Sequence, residues 1–585
     1  MRKMIWQIVI VILALVAIAI LLVSQQPALL PINPEIQPAI GGVYTEGLVG
    51  SFGRLNPVLD FVNPADQDID RLIFSSLVRF DDRGLPVNDL VESMGISQDG
   101  NNYNLSLREN AVWHDGEPVT SDDVIFTIEL LRSEELPIPE DIRALWQAVE
   151  AEALDERTLQ IRLPEPFAPF MDYLTFGILP KHLLGDLSPQ ELIQSDFNLQ
   201  PVGSGPYRFE RLLANEEPAN SAGATPSDAD PASDTGEIAG VVLETFEDYY
   251  QEAAFIEQFV FRYYSDSSAA FTAYREGEVL GISNVTHEIL PAALRTTELN
   301  LYSSQTPRLM IVFLNLDNPE VPFLQDASIR HALLMGLDRQ RMIDASLGGQ
   351  ATIAHGPIFP GSWAYYEGIE HVAYDPDVAI SILRQTGYTI PAEGGSTRVN
   401  EEGQALSLEL LFPEDPQYVA LAEAIAQDWS RLGVSADLTP VPYEDLVEDY
   451  LEPRTYQAAL VDLNLSDSPD PDPYPFWDQA QITGGQNYSK WDDRQASEYL
   501  EQARIELDMA ERTRLYNNFQ VRFATELPAL PLFYPVQTYA VDGTVQGVSV
   551  GPLYSTSDRF ADVSEWFLLA ERALGVETTP TEPSP

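Results

Sequence analysis

The chain has 585 residues, 45% of them hydrophobic, with 90 acidic against 33 basic side chains for a formal charge of −57, and no cysteine. That length exceeds what one hydrophobic core serves and predicts at least two lobes, while the charge repels phosphate backbones and excludes nucleic acid as a partner. Without cysteine there is no disulfide, thiolate metal site, Cys nucleophile or lipid attachment through an N-terminal Cys.

Ile5 to Val23 reads IWQIVIVILALVAIAILLV, with one polar residue in nineteen. A helix of that length spans roughly 28 Å, close to a bilayer's hydrocarbon thickness. Arg2 and Lys3 precede it and the next basic residue is Arg54, so the positive-inside bias exports everything downstream. A cleaved signal peptide usually has a shorter apolar core and a small-x-small site, where this chain has LLVSQQPALL. Residues 1–23 are therefore expected to be a transmembrane anchor, with a signal sequence as the alternative. Residues 24–40, with four prolines, suit an extended linker.

TSDDVIFTIELL predicts a helix: Thr120 and Asp123 fit a capping box, and Val124, Ile128 and Leu131 form one apolar face. Residues 214–237 are Ala, Ser, Pro, Asp and Gly with little to bury, which predicts a disordered insertion, and the tail 571–585 reads the same way. DASIRHALLMGLDRQRMI (326–343) predicts one further helix. The clearest unit is ALSLELLF (405–412), a helix over PQYVALAEAIAQDWSRL closed by Gly433, and VSADLTPV (434–441): strand, helix, parallel strand. YQAALVDLNL (456–465) predicts a buried strand, and the proline-rich SDSPDPDPYPFW (466–477) follows. The alternation implies mixed α/β lobes with a cleft between them.

Six segments in order carry a resemblance: GRLNPVLDFVNPADQDIDRLIFSSLVRFD (53–81), YNLSLRENAVWHDGEPVTSDDVIFTIE (103–129), PVGSGPYRF (201–209), DASIRHALLMGLDRQRMI (326–343), GQNYSKWDDRQASEYLEQAR (485–504) and ELPALPLFYP (526–535). Over about 42–570 the chain resembles the extracytoplasmic solute-binding proteins of ABC importers, in the oligopeptide/dipeptide/nickel-binding family, family 5. The resemblance implies an α/β, two-lobed, periplasmic-binding-protein-like clamp, type II with an extra subdomain, here behind the N-terminal transmembrane helix. Lobe I would combine 42–80, 200–305 and 536–570, with a subdomain at 81–199; lobe II would be 306–535. The hinge would lie near TPRLMIVFLNLDNP and LPLFYPVQTYAV. Such a protein captures a peptide or similar small solute outside the cell, as a monomer without cofactor or metal, and hands it to ABC permease subunits. An oligosaccharide or a nickel complex as ligand, a sensor that signals without transport, and an extracellular hydrolase are the alternatives.

No catalytic residue is assigned. The six histidines form no H-E-x-x-H pair, and G-x-S-x-G and G-x-x-x-x-G-K-[ST] are absent. Ser204 in GSG and His114 in VWHDGEPVT are read as structural. Counted from Asp470 as a Ca²⁺ loop, SDSPDPDPYPFW fails, with Pro475 at position 6 and Gln481 at position 12. The resemblance instead implies that Asp467 pairs with a ligand's α-ammonium. Asp462 is the second candidate, and Asp470 and Asp472 shape the turn. Glu414 and Asp415 stand where some dipeptide binders carry a basic residue, which leaves a longer peptide, a cationic ligand, or capture of a ligand carboxylate by Arg308 or Arg54 as alternatives. Phe52, Trp363, Tyr365, Tyr418, Tyr474 and Trp477 are candidate wall rings, while Arg330, Asp338 and Arg339 are expected to solvate or pin a helix face.

Overall fold

Strand β1 (Val43–Val49) opens the folded part of the computed structural model, which describes residues 38–81, 84–214, 238–465 and 470–569. The expected anchor at 1–23, the linker up to residue 37, the insertion after Ala214 and the tail lie outside the described residues. No described helix is long and apolar enough to cross a membrane.

Helix α1 (Pro64–Ile73) starts where its sequence says it should: Asn63 caps it by accepting from the Ala65 N–H, and Pro64 occupies the first turn. Strands β2 (Val91–Ile96) and β3 (Asn102–Leu107) follow, then helix α2 (Ser121–Leu131), β4 (Glu150–Ala153) and β5 (Thr158–Arg162). These strands form a separate antiparallel sheet in the order β2-β3-β5-β4. The Asp123 carboxylate accepts from the backbone N–H of Thr120, and Val124, Ile128 and Leu131 are buried as the pattern predicted.

The GSG turn packs against the end of α1. A Cβ on Gly203 would lie 2.0 Å from the Ile73 carbonyl oxygen, and one on Gly205 2.4 Å from that of Leu72, so neither position has room for a side chain. The Gly205 N–H donates to Ile73 O at 2.7 Å, and the Gly203 N–H donates to His114 Nδ1 at 3.1 Å. Burial lowers the His114 pKa to about 4 and keeps the ring neutral as a brace.

β6 (Tyr207–Ala214), β7 (Ile238–Thr245), β8 (Gln258–Tyr264), β9 (Gly281–Ile282) and β10 (Leu299–Gln305) complete one half of a large mixed sheet, and β11 (Arg308–Leu314) begins the other. DASIRHALLMGLDRQRMI is two helices, not one: α3 (Ala327–Met335) stops at Gly336, and Asp338 caps α4 (Arg339–Leu347) by accepting from the Arg341 N–H. Arg330 and Arg339 pin rather than solvate. Both are buried and donate to backbone carbonyls, Arg330 to Leu324 and Leu527, Arg339 to Ala354, Val372 and Pro531.

β12 (Ala351–Ile353), β13 (Ser407–Pro413), helix α5 (Pro416–Leu432), β14 (Ser435–Val441) and β15 (Ala458–Asn464) follow. β13 and β14 are parallel, and Gly433 closes α5 at φ +83°. Helices α6 (Arg494–Ile505) and α7 (Met509–Glu526) lead into the fourteen-residue β16 (Ala529–Asp542). The sheet order is β14-β13-β15-β11-β16-β9-β1-β8-β7-β6, with β10 and β12 also on β16. β16 therefore serves both halves, and it changes partners sharply: Pro535 faces Ala351 of β12, and Val536 faces Gln305 of β10.

β11 shows why its run RLMIVFL has no polar alternation. Leu309, Ile311 and Phe313 point into one core, and Met310, Val312 and Leu314 into another, so both faces of the strand are dry.

Candidate functional site

A cavity of about 1050 Å³ opens between the two halves of the molecule, at the upper end of small-ligand sites. One wall comes from the loop before α1, α1 itself and residues 131–177; the other from β11, the start of α5 and the end of β15. The edge at 535–537 is the stretch where β16 changes partners.

β11 and β15 run antiparallel with Arg308 opposite Asn464 and Met310 opposite Asp462. That register brings Arg308 and Asp462 diagonally together, and α5 adds Tyr418. Arg308 Nε donates to Asp462 Oδ2, and the Tyr418 hydroxyl donates to Oδ1. Only 7% of the Asp462 side chain is exposed, against 59% of Arg308. Burial opposes the Arg308 charge, but the hydrogen bond to Asp462, its charge and the nearby Tyr418 and Tyr443 hydroxyls together outweigh it and hold the guanidinium above its usual pKa. Burial first, then the bond to Asp462, pushes the Tyr418 hydroxyl up. Both Asp462 oxygens are thus committed within the protein, and the partly exposed guanidinium is the group this cluster offers to a ligand. Asp415, at the start of α5, also lines the cavity but accepts from the Gln417 N–H as the helix cap.

Of the expected ligand contacts, Arg308 and Tyr418 lie on the cavity wall, and Asp467 lies outside the described residues. Trp477 is corrected from wall to core. It is 1% exposed and packs on Phe523, Phe313 and Trp491 at 4.8, 5.8 and 6.5 Å between ring centroids. Tyr474, Trp363 and Phe52 also sit off the cavity wall. The Arg504 guanidinium lies 4.3 Å from the Tyr474 ring centroid, Trp363 is held between Arg512 and Tyr516, and Phe52 meets Tyr263 edge-on at 6.5 Å. These rings pack because an apolar surface next to a large core gains more from burial than from facing water.

SDSPDPDPYPFW has a different role for its described acids. Asp470 forms an ion pair with Arg512 at 2.6 Å, Asp472 accepts from Arg504 Nε at 3.0 Å, and the Asp470 N–H donates to Asp172 Oδ2 at 2.6 Å. Asp172 belongs to the opposite wall, so this loop ties the two walls at one end of the cavity. Burial pushes the Asp472 carboxyl up to about 6 despite Arg504. No group of three or more His, Asp or Glu suited to a metal occurs among the described residues. Ser204 is fully buried and its hydroxyl has no hydrogen-bond partner to activate it, which does not suit a nucleophile.

Two wall residues were passed over at the level of sequence: Asp60 and Asp70, before and within α1. Aspartate is mostly an exposed residue, and only the packing of α1 beneath the cavity shows that these two are buried.

The family model for bacterial extracellular solute-binding proteins, family 5 (middle region), matches residues 86–486. The oligopeptide-binding protein AppA of Bacillus subtilis is 22% identical over 543 residues, covering 91% of this chain and 92% of that protein. The di/tripeptide-binding protein 1 of Pseudomonas aeruginosa is 24% identical over 502 residues, covering 82% and 86%. The structure of AppA in complex with a nonapeptide aligns with TM-score 0.64 at 21% identity, covering 91% of this chain and all of that one. HbpA2 from Haemophilus parasuis aligns at 0.74 with 20% identity, covering 90% and 100%. At these identities the structural matches establish the two-lobed α/β fold.

Proposed function

The chain belongs to the family 5 bacterial extracellular solute-binding proteins, and from that premise we propose that it is the binding component of an ABC importer that captures peptides outside the cell and delivers them to a membrane permease. The observation that carries the reading is the Arg308–Asp462–Tyr418 cluster on the wall of a cavity about 1050 Å³ in volume: a guanidinium held in place by a buried carboxylate, in a cavity sized for a short peptide. A fixed guanidinium suits a planar carboxylate, and little entropy is lost in ordering it on binding. Relatives named as oligopeptide-binding and di/tripeptide-binding proteins support the same ligand class.

Lobe I is taken as 42–80, 200–305 and 536–570 with its subdomain at 81–199, and lobe II as 306–535. They would close about the paired junctions Gln305–Arg308 and Pro535–Val536, which is supported by the partner change of β16 there. The apolar run Ile5–Val23 after Arg2 and Lys3 supports a membrane tether. One chain supplies both walls of the cavity, which supports a monomeric binder.

The test is binding of alanine pentapeptides, with a free carboxylate or a C-terminal amide, to the detergent-solubilised full chain, read by tryptophan fluorescence. The free acid should bind and raise the melting temperature. Arg308→Gln should weaken the acid by about 1.5–3 kcal/mol and leave the amide unchanged. Absence of a response to this or any mixed peptide pool, with no peptide mass retained in native mass spectrometry, would sink the reading.

A further inference from the structure

The four aspartates around α1 have unequal fates. Asp66 accepts from the backbone N–H groups of Gly53 and Arg54 at 3.1 and 2.8 Å and from Asn63 Nδ2 at 2.7 Å. Asp68 takes a bidentate bond from Arg559 at 2.8 and 2.7 Å. Asp70, one turn on from Asp66, is 4% exposed, and neither of its oxygens accepts a hydrogen bond of ordinary geometry. Its near neighbours are the Asp60 carboxyl and the backbone amide of Asn56. Asp60 is 7% exposed, and both aspartates line the cavity. The Tyr263 hydroxyl, which senses the charges of Asp66, Asp70 and Asp68, has no partner either.

A buried carboxyl pair with no cation is costly, because burial and mutual repulsion both penalise ionisation. Burial pushes Asp60 up to about 7, with a smaller push from the Asp66 charge and against the side-chain interaction with Asp70, while burial and then the charges of Asp60 and Asp66 raise Asp70. A fold that wanted only stability would do as well with an amide at Asp70. The cavity as a whole has the same sign: counting this pair, seven aspartates and three arginines are among its described lining residues. Two of those arginines have acidic neighbours, Arg308 with Asp462 and Arg71 with Asp558. Low-dielectric walls of one sign concentrate counter-charge.

We propose that Asp60 and Asp70 form a cation subsite on the α1 wall of the cavity, taking the guanidinium or ammonium of a basic side chain on the bound peptide. A guanidinium bridging the pair supplies the donors that Asp70 lacks and neutralises both carboxylates, and an uncharged side chain of equal size does neither. The inference rests on the peptide-binding reading above and narrows its substrate class to basic peptides.

The experiment walks arginine through an alanine pentapeptide, pairs each peptide with its citrulline counterpart, and titrates both series into the detergent-solubilised full chain by calorimetry. In at least one register arginine should bind ten-fold or more tighter than citrulline. In Asp70→Asn, which keeps the volume and removes the charge, that ratio should fall to near one. Asp60→Asn should lower the ratio in the same register, so the result does not depend on one variant. Binding of both series without discrimination in any register, or a preference that survives both substitutions, overturns the subsite and leaves the peptide reading standing. Failure of every peptide in both series to bind overturns the peptide reading and the subsite with it.

Discussion

Arg512 and Asp470 face each other with 4% of each side chain exposed, and Tyr516 donates to the same carboxylate at 3.3 Å. Burial alone opposes the Arg512 charge, yet Asp470 holds the guanidinium above its ordinary value. A pair like this adds little over an apolar substitute, but losing one member strands the other charge in the interior. Arg512→Ala is therefore expected to destabilise the chain by roughly 3–5 kcal/mol in urea unfolding at neutral pH. A loss under about 1 kcal/mol would mean that water reaches Asp470. In sequence Asp470 and Asp472 could be assigned to the turn, because prolines surround them. Their partners Arg504 and Arg512 could not be named, since they come from helices that only the fold brings to the loop. Trp477 illustrates the same limit: its place at the end of the proline-rich run that follows a strand was legible, and the direction of its ring was not.

At the scale of elements, units whose signals are local read well. β13, α5 and β14 follow from leucine alternation, a helical apolar period and a glycine cap, all within one continuous stretch. The break between α3 and α4 was missed because the apolar pattern runs through it, and only the capping role of Asp338 marks it. The GSG turn is a close approach of two backbones. Gly203→Ala must displace the Ile73 carbonyl or the turn, so we expect a loss of about 1–3 kcal/mol in stability. Weaker peptide binding should accompany it, because α1 carries a cavity wall. A variant as stable as the parent in thermal unfolding would show that α1 has room to shift.

The whole molecule carries a charge of −57, and most of its acids have no basic partner to meet, since 90 acidic side chains face 33 basic ones. Self-repulsion destabilises the folded state, and salt screens it over a Debye length that shrinks from about 30 Å at 0.01 M to about 3 Å at 1 M. The melting temperature should therefore rise as sodium chloride is raised from low to high concentration. A midpoint that falls instead would assign the net effect to surface ion pairs such as Arg494 with Glu501.

Sequence alone determined the two-lobed α/β class, the family and the lack of any thiol chemistry, because composition, apolar period and ordered motifs accumulate along the chain and need no knowledge of what faces what. Tertiary structure decided which residues meet. It placed Arg308 beside Asp462 through a strand register, sent Trp477 into the core, and buried Asp60 and Asp70 under the cavity with neither Asp70 oxygen accepting a hydrogen bond from a described residue. Those outcomes depend on side-chain direction and on distant partners, and a residue's neighbours in sequence constrain neither.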